Sequence, residues 1–86
     1  MPKVVNDLKK YENSVDIKDK IIQILNKNPN KAYLLEEIEF ILIREYNLGI
    51  NIGGKLFLYA ILRDLVHLNK IQSIISKGKE YFFIEI

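Results

Sequence analysis

The residues Gly49-Ile50-Asn51-Ile52-Gly53-Gly54-Lys55 satisfy the first seven positions of the glycine-rich loop that cradles a nucleotide phosphate, in which backbone N–H groups and a lysine meet the anion. The chemistry fails at the next position. Leu56 stands where a serine or threonine hydroxyl must ligate magnesium, the segment before the loop has a helical period, and 86 residues leave no room for the sheet that such a loop caps. The glycines are better read as a turn between two helices. Other reactive types are scarce. His67 is the one imidazole and cysteine is absent, which excludes a thiolate or multi-histidine zinc site. No nucleophile, base and orienting group can be assembled, so neither enzyme activity nor a cofactor or metal is expected. His67 is expected at the surface near a helix end, where it feels the helix dipole.

What remains is cationic and hydrogen-bonding chemistry suited to a polyanion. Leu58, Ile61, Leu62, Leu65 and Leu68 recur at helical spacing. If they form a buried stripe, steps of about 100° per residue put Leu56, Ala60, Arg63 and His67 on the opposite face, with Tyr59 and Lys70 beside them. A guanidinium there could pair bidentately with guanine, Tyr59 and Lys55 could hold phosphates, and Leu56 or Ala60 could touch a thymine methyl. Asn51 joins this set from the turn just upstream. Lys77 and Lys79 flank Gly78 in a tight turn, placed to meet phosphate or enter a minor groove.

The elements that must position these groups follow from periodicity. After the helical run, Ile71-Gln72-Ser73-Ile74-Ile75 and Tyr81-Phe82-Phe83-Ile84 flank the turn, so a helix runs straight into a β-hairpin. A two-residue type II′ loop at Gly78-Lys79 would set Ile75 opposite Phe82, Ser73 opposite Ile84 and Ile71 opposite Ile86, making one hairpin face nearly all apolar. Asn69 tolerates the left-handed conformation that ends the preceding helix. Upstream, Ser14 or Asp16 can cap a helix whose stripe is Ile17, Ile21, Ile22, Ile24 and Leu25, ended by Asn26-Lys27-Asn28-Pro29-Asn30. Lys31-Ala32-Tyr33 is expected to be a brief strand, and Leu34, Ile38, Ile41 and Leu42 mark a further helix that runs to about Tyr46 and stops at Asn47-Leu48-Gly49. Val4, Leu8 and Tyr11 lie at i, i+4 and i+7, the spacing of a short additional N-terminal helix.

Composition bounds the class. Hydrophobic residues at 49% and charged residues at 28% fit one globular core rather than disorder. The N-terminus lacks the apolar run of a signal peptide and no stretch is long enough to span a bilayer, so a soluble cytoplasmic protein is expected, without membrane partners. The net charge of +2 is mild, but its distribution is uneven. Lys31 and Arg44 against Glu36, Glu37, Glu39 and Glu45 leave residues 31–46 at net −2, whereas Lys55, Arg63, Lys70, Lys77 and Lys79 against Asp64, Glu80 and Glu85 leave residues 47–86 at net +2. A polyanion is therefore expected to meet the last helix and hairpin rather than the helix before them.

The run Leu58-Tyr59-Ala60-Ile61-Leu62-Arg63-Asp64-Leu65-Val66-His67-Leu68-Asn69-Lys70-Ile71 resembles the recognition helix of PadR-like winged-helix transcriptional regulators. Lys79-Glu80-Tyr81-Phe82-Phe83-Ile84 is similar to that family's second wing strand, and Ala32-Tyr33-Leu34-Leu35 to the entry of its second helix. Asn69 stands where the family has glycine, and its dimerising helix beyond the wing has no counterpart in this sequence. The resemblance covers residues 17–86. It implies an α+β winged helix-turn-helix, three helices plus a C-terminal hairpin wing, over residues 14–86, with residues 1–13 as a possible dimerisation helix. The expected function is that of a sequence-specific regulator of double-stranded DNA, working as a homodimer through Val4, Leu8 and Tyr11. Its DNA-binding residues would be Asn51, Lys55, Leu56, Tyr59, Arg63, Lys77 and Lys79. The rival expectation is a protein-interaction module that buries Leu56 and Phe57 against a partner, and a third is a chromatin-type binder without sequence preference. If Val4, Leu8 and Tyr11 hold two copies together, deleting residues 1–13 will halve the solution mass measured by light scattering; an unchanged dimer mass would remove that role.

Overall fold

The computed structural model describes residues 16–47 and 54–86. Their order is α1, described over residues 16–27, then β1 (Tyr33–Leu34), α2 (Leu35–Tyr46), α3 (Lys55–His67), β2 (Gln72–Ser76) and β3 (Lys79–Phe83). The chain is thus α+β, with three helices and one three-stranded antiparallel sheet among the described residues, its strands in the order β1-β3-β2.

Each helix owes its place to an apolar stripe. Ile17, Ile21, Ile24 and Leu25 of α1, Ile38 and Leu42 of α2, and Leu58, Ile61, Leu62 and Leu65 of α3 converge on one core. Tyr33, Ile71 and Phe82 complete it from the sheet side, and among the described residues no polar or charged residue is buried. Leu34 does not belong to α2 as the spacing suggested. It is extended at φ −75°, ψ 158°, completes β1 and donates its N–H to Glu37 Oε1 at 2.8 Å, so β1 passes into α2 without a loop. At the far end Asn47 adopts φ 53° and donates its N–H to the Leu42 carbonyl, which terminates α2.

The boundaries of α3 are set by two backbone conformations. Gly54 precedes the helix at φ 91°, a region that strains any side chain. At the other end Asn69 is left-handed at φ 58°, its N–H reaches the Val66 carbonyl at 3.0 Å and the Lys70 N–H reaches the Leu65 carbonyl at 2.9 Å. This paired closure is a Schellman motif. It also corrects the expected stripe: Leu68 sits at the cap, where the backbone leaves the helical path, and is 54% exposed. Ile71, beyond the turn, is buried instead.

The hairpin differs from the expected register. Lys77 and Gly78 are the two central residues, at φ 53° and 77°, so the turn is of the type I′ class and Ser76 faces Lys79. Positive φ at both positions matches the right-handed twist of the strands, which outweighs the strain on Lys77. Ser73 therefore faces Phe82 and Ile75 faces Glu80, in place of Ile84 and Phe82. Because the shift is by two residues, every side chain keeps its expected face; a shift by one would have reversed them. The apolar face is narrower than expected, since Ile75 at the tip is 72% exposed. Ile86 does not pair with Ile71 but is exposed, its N–H donated to Asn30 Oδ1 at 3.0 Å, while the Asn30 N–H is donated to the Ile84 carbonyl at 2.7 Å. The expected strand at residues 31–33 lies at Tyr33–Leu34, with Tyr33 facing Phe82 and Leu34 facing Tyr81.

Among the described residues no helix is long and apolar enough to cross a membrane. The contrast between the buried and capping leucines of α3 is measurable. Leu62→Ala should lower unfolding free energy by about 2–5 kcal/mol through the cavity it leaves, and Leu68→Ala by less than about 0.5 kcal/mol, both read from urea denaturation. Equal losses would contradict the register of α3.

Candidate functional site

With Leu58, Ile61, Leu62 and Leu65 turned into the core, α3 must present its other side outward. Lys55, Leu56, Tyr59 and Ala60 are exposed along it and Arg63 is half-buried. Leu56 is 88% exposed, an unusual state for a leucine, and Phe57 beside it is 40% exposed. His67 lies on the surface in the last turn of the helix.

The hairpin tip stands against this row, and one carboxylate joins them. Phe82 of β3 is buried in the core, so Glu80, two residues earlier on the same face of the strand, points toward α3 as well. Tyr59 Oη donates to Glu80 Oε1 at 3.1 Å, and Arg63 Nη1 donates to Glu80 Oε2 at 2.9 Å. Tyr59 and Arg63 are one helical turn apart, the separation at which two side chains can reach the same acceptor. Each oxygen of the carboxylate thereby accepts one hydrogen bond. The Glu80 side chain is 20% exposed and that of Arg63 39%, so the pair lies partly beneath the surface.

Next to this contact a cleft of about 400 Å³ opens between the hairpin tip, the start of α2 and α3, lined among others by Leu34, Glu36, Tyr59, Lys79, Glu80 and Phe82. Its charge is mixed, with Lys79 against Glu36 and Glu80. On the other flank of α3, Lys18 of α1 forms an ion pair with Asp64. Arg44 on α2 is stacked over the Phe40 ring at 5.4 Å, and Glu36, Glu37 and Glu45 are exposed along the same helix. Among the described residues no cluster of His, Asp and Glu could hold a metal ion.

Of the residues singled out in the sequence, Lys55, Leu56, Tyr59, Arg63, Lys77 and Lys79 thus fall on α3 and the adjoining hairpin tip, with Lys77 and Lys79 exposed. Asn51 lies outside the described residues, as do Val4, Leu8 and Tyr11, the proposed N-terminal helix and the turn at residues 48–53. Glu80 was the residue that sequence reasoning passed over. Its signal was there: it is the one acidic side chain in an otherwise basic turn, and strand alternation puts it on the face of Phe82. Comparison with protein-family models, curated proteins and solved structures finds no match.

The bond between Arg63 and Glu80 should be worth about 0.5–1 kcal/mol, the range for a pair that solvent still screens. A double-mutant cycle with Arg63→Ala and Glu80→Ala, followed by urea unfolding, should return a coupling of that size. A coupling indistinguishable from zero would mean that the ion pair adds nothing measurable to holding the hairpin against α3.

Proposed function

We propose that the chain is a winged-helix DNA-binding protein of the cytoplasm, a regulator that lays α3 in a major groove and rests the β2–β3 hairpin, as its wing, on the adjoining backbone or minor groove. The observation that carries this reading is the Glu80 contact, which sets the tip bearing Lys77 and Lys79 beside Tyr59 and the half-buried Arg63 of α3, the helix whose first turn exposes Lys55. One surface then offers a helix of groove-compatible width and a basic tip at its side. The element order, helix, strand, two helices and hairpin, supports it, as does the resemblance of residues 58–71 to the recognition helix of PadR-like regulators. The exposed glutamates of α2 disfavour phosphate along that helix and so limit the orientations in which DNA could dock. Homodimerisation through Val4, Leu8 and Tyr11 would supply a second recognition helix and half-site.

A second reading is favoured by the exposure of Leu56 and Phe57, which suit a protein partner better than base edges. In that case the same face of α3 would bury apolar area, and Leu56→Ser would abolish the partner complex while Arg63→Ala would matter little.

Replacing Lys77 and Lys79 together with Ala separates the two. Both side chains are exposed at a turn, so the thermal midpoint should stay close to that of the parent. Affinity for duplex DNA should fall to a similar extent on all sequences, and the dependence of log affinity on log salt should flatten by up to about two units. Unchanged affinity and slope would leave the lysines no role in DNA binding.

A further inference from the structure

We propose that Glu80 is a specificity-determining residue: by holding Arg63 and Tyr59 it withholds their attraction for phosphate and aims the guanidinium at base edges. The inference rests on the DNA-binding reading above. Arg63 is the one arginine on α3, and its charge would by itself draw α3 to any stretch of backbone. The Glu80 carboxylate accepts from Nη1 of Arg63 at 2.9 Å on one oxygen, and its other oxygen accepts the Tyr59 hydroxyl at 3.1 Å. The contact is therefore single and not a two-bond fork.

A guanidinium has five N–H donors in one plane, so a single bond through Nη1 neutralises the charge yet leaves donors free for a paired contact to guanine O6 and N7. A phosphate, by contrast, must approach a carboxylate in order to reach Arg63 or Tyr59, or must displace it. Displacement strands a partly buried charge, since only 20% of the Glu80 side chain is open to solvent. Backbone docking is penalised at this point and base recognition is not. The lysines at Lys77 and Lys79, which have no such partner among the described residues, would supply the sequence-independent attraction.

Glu80→Gln is the direct test, because glutamine keeps the shape and can still accept the tyrosine hydroxyl while losing the charge. Binding to a random-sequence duplex is measured by fluorescence anisotropy over a potassium chloride series for the parent, Glu80→Gln, Arg63→Ala and the double variant. The expected result is that Glu80→Gln binds the random duplex about three- to tenfold more tightly at low salt, with a salt slope steeper by about one unit. The gain should be clearly larger with Arg63 present than in the Arg63→Ala background. An equal gain in both backgrounds would reduce Glu80 to a repulsive charge and overturn the inference, as would unchanged affinity in a parent that binds. If neither the parent nor Glu80→Gln binds duplex at low salt, the DNA-binding reading itself fails and the inference with it.

Discussion

The alternation of side chains along β3 is the constraint on which the surface of this protein depends. Phe82 must face the core, where it is 1% exposed between Tyr33 and Ser73 on the neighbouring strands. A strand repeats every two residues, so Glu80 is carried to the same face and arrives at the side of α3. A one-residue slip would exchange Phe82 for Tyr81 or Phe83 in the core and turn Glu80 away to solvent. The burial of one aromatic ring thus decides whether α3 and the hairpin tip share a charged contact. The central position of β3, paired on both edges, makes that decision hard to undo.

Positive-φ residues fix where the elements begin and end, and they do so with little energy spent on side-chain contacts. Asn47 stops α2, Gly54 starts α3, Asn69 ends it and Lys77-Gly78 reverses the hairpin. Asparagine accepts the left-handed region more readily than most residues, so two of these sites need no glycine. Lys77 is the exception. A lysine in that conformation costs about 1 kcal/mol. The hairpin and α3 are consequently pinned at both ends, and the Tyr59–Glu80–Arg63 contact adds alignment rather than much stability.

Much of this was legible in the sequence, and the rest was not for definable reasons. The stripes Ile17-Ile21-Ile24-Leu25 and Leu58-Ile61-Leu62-Leu65 predict their helices because burial at a period of 3.6 leaves few alternatives. Asn69 marks the end of α3 correctly, but Leu68, the last member of the expected stripe, falls at the cap and is exposed, while Ile71 beyond the turn is buried. The hairpin turn was misplaced by one residue since Lys77 is a poor predictor of positive φ, while Gly78 satisfies either turn type. The faces survived that error because the side-chain period is two. Lys55, Tyr59, Arg63 and the tip lysines were identifiable as a surface from charge and periodicity. The role of Glu80 needed the three-dimensional register, since nothing in the spacing of residues 59, 63 and 80 brings them together.

The uneven charge of the chain acquires a shape in this arrangement. The acidic residues lie along α2, with Glu36 reaching the cleft beside the hairpin tip, while the cations lie on α3 and the tip, where among the described residues Arg63 is paired, with Glu80. In the proposed function the outer row of α3 and the tip form a single surface for duplex DNA. Titrating labelled protein with duplex at low salt while following backbone amide resonances tests it most directly. The largest shifts are expected at Lys55, Tyr59, Arg63 and Lys77 to Glu80 together, with residues 39–45 of α2 unmoved. Shifts confined to α2, or none at a DNA concentration well above that of the protein, would contradict it.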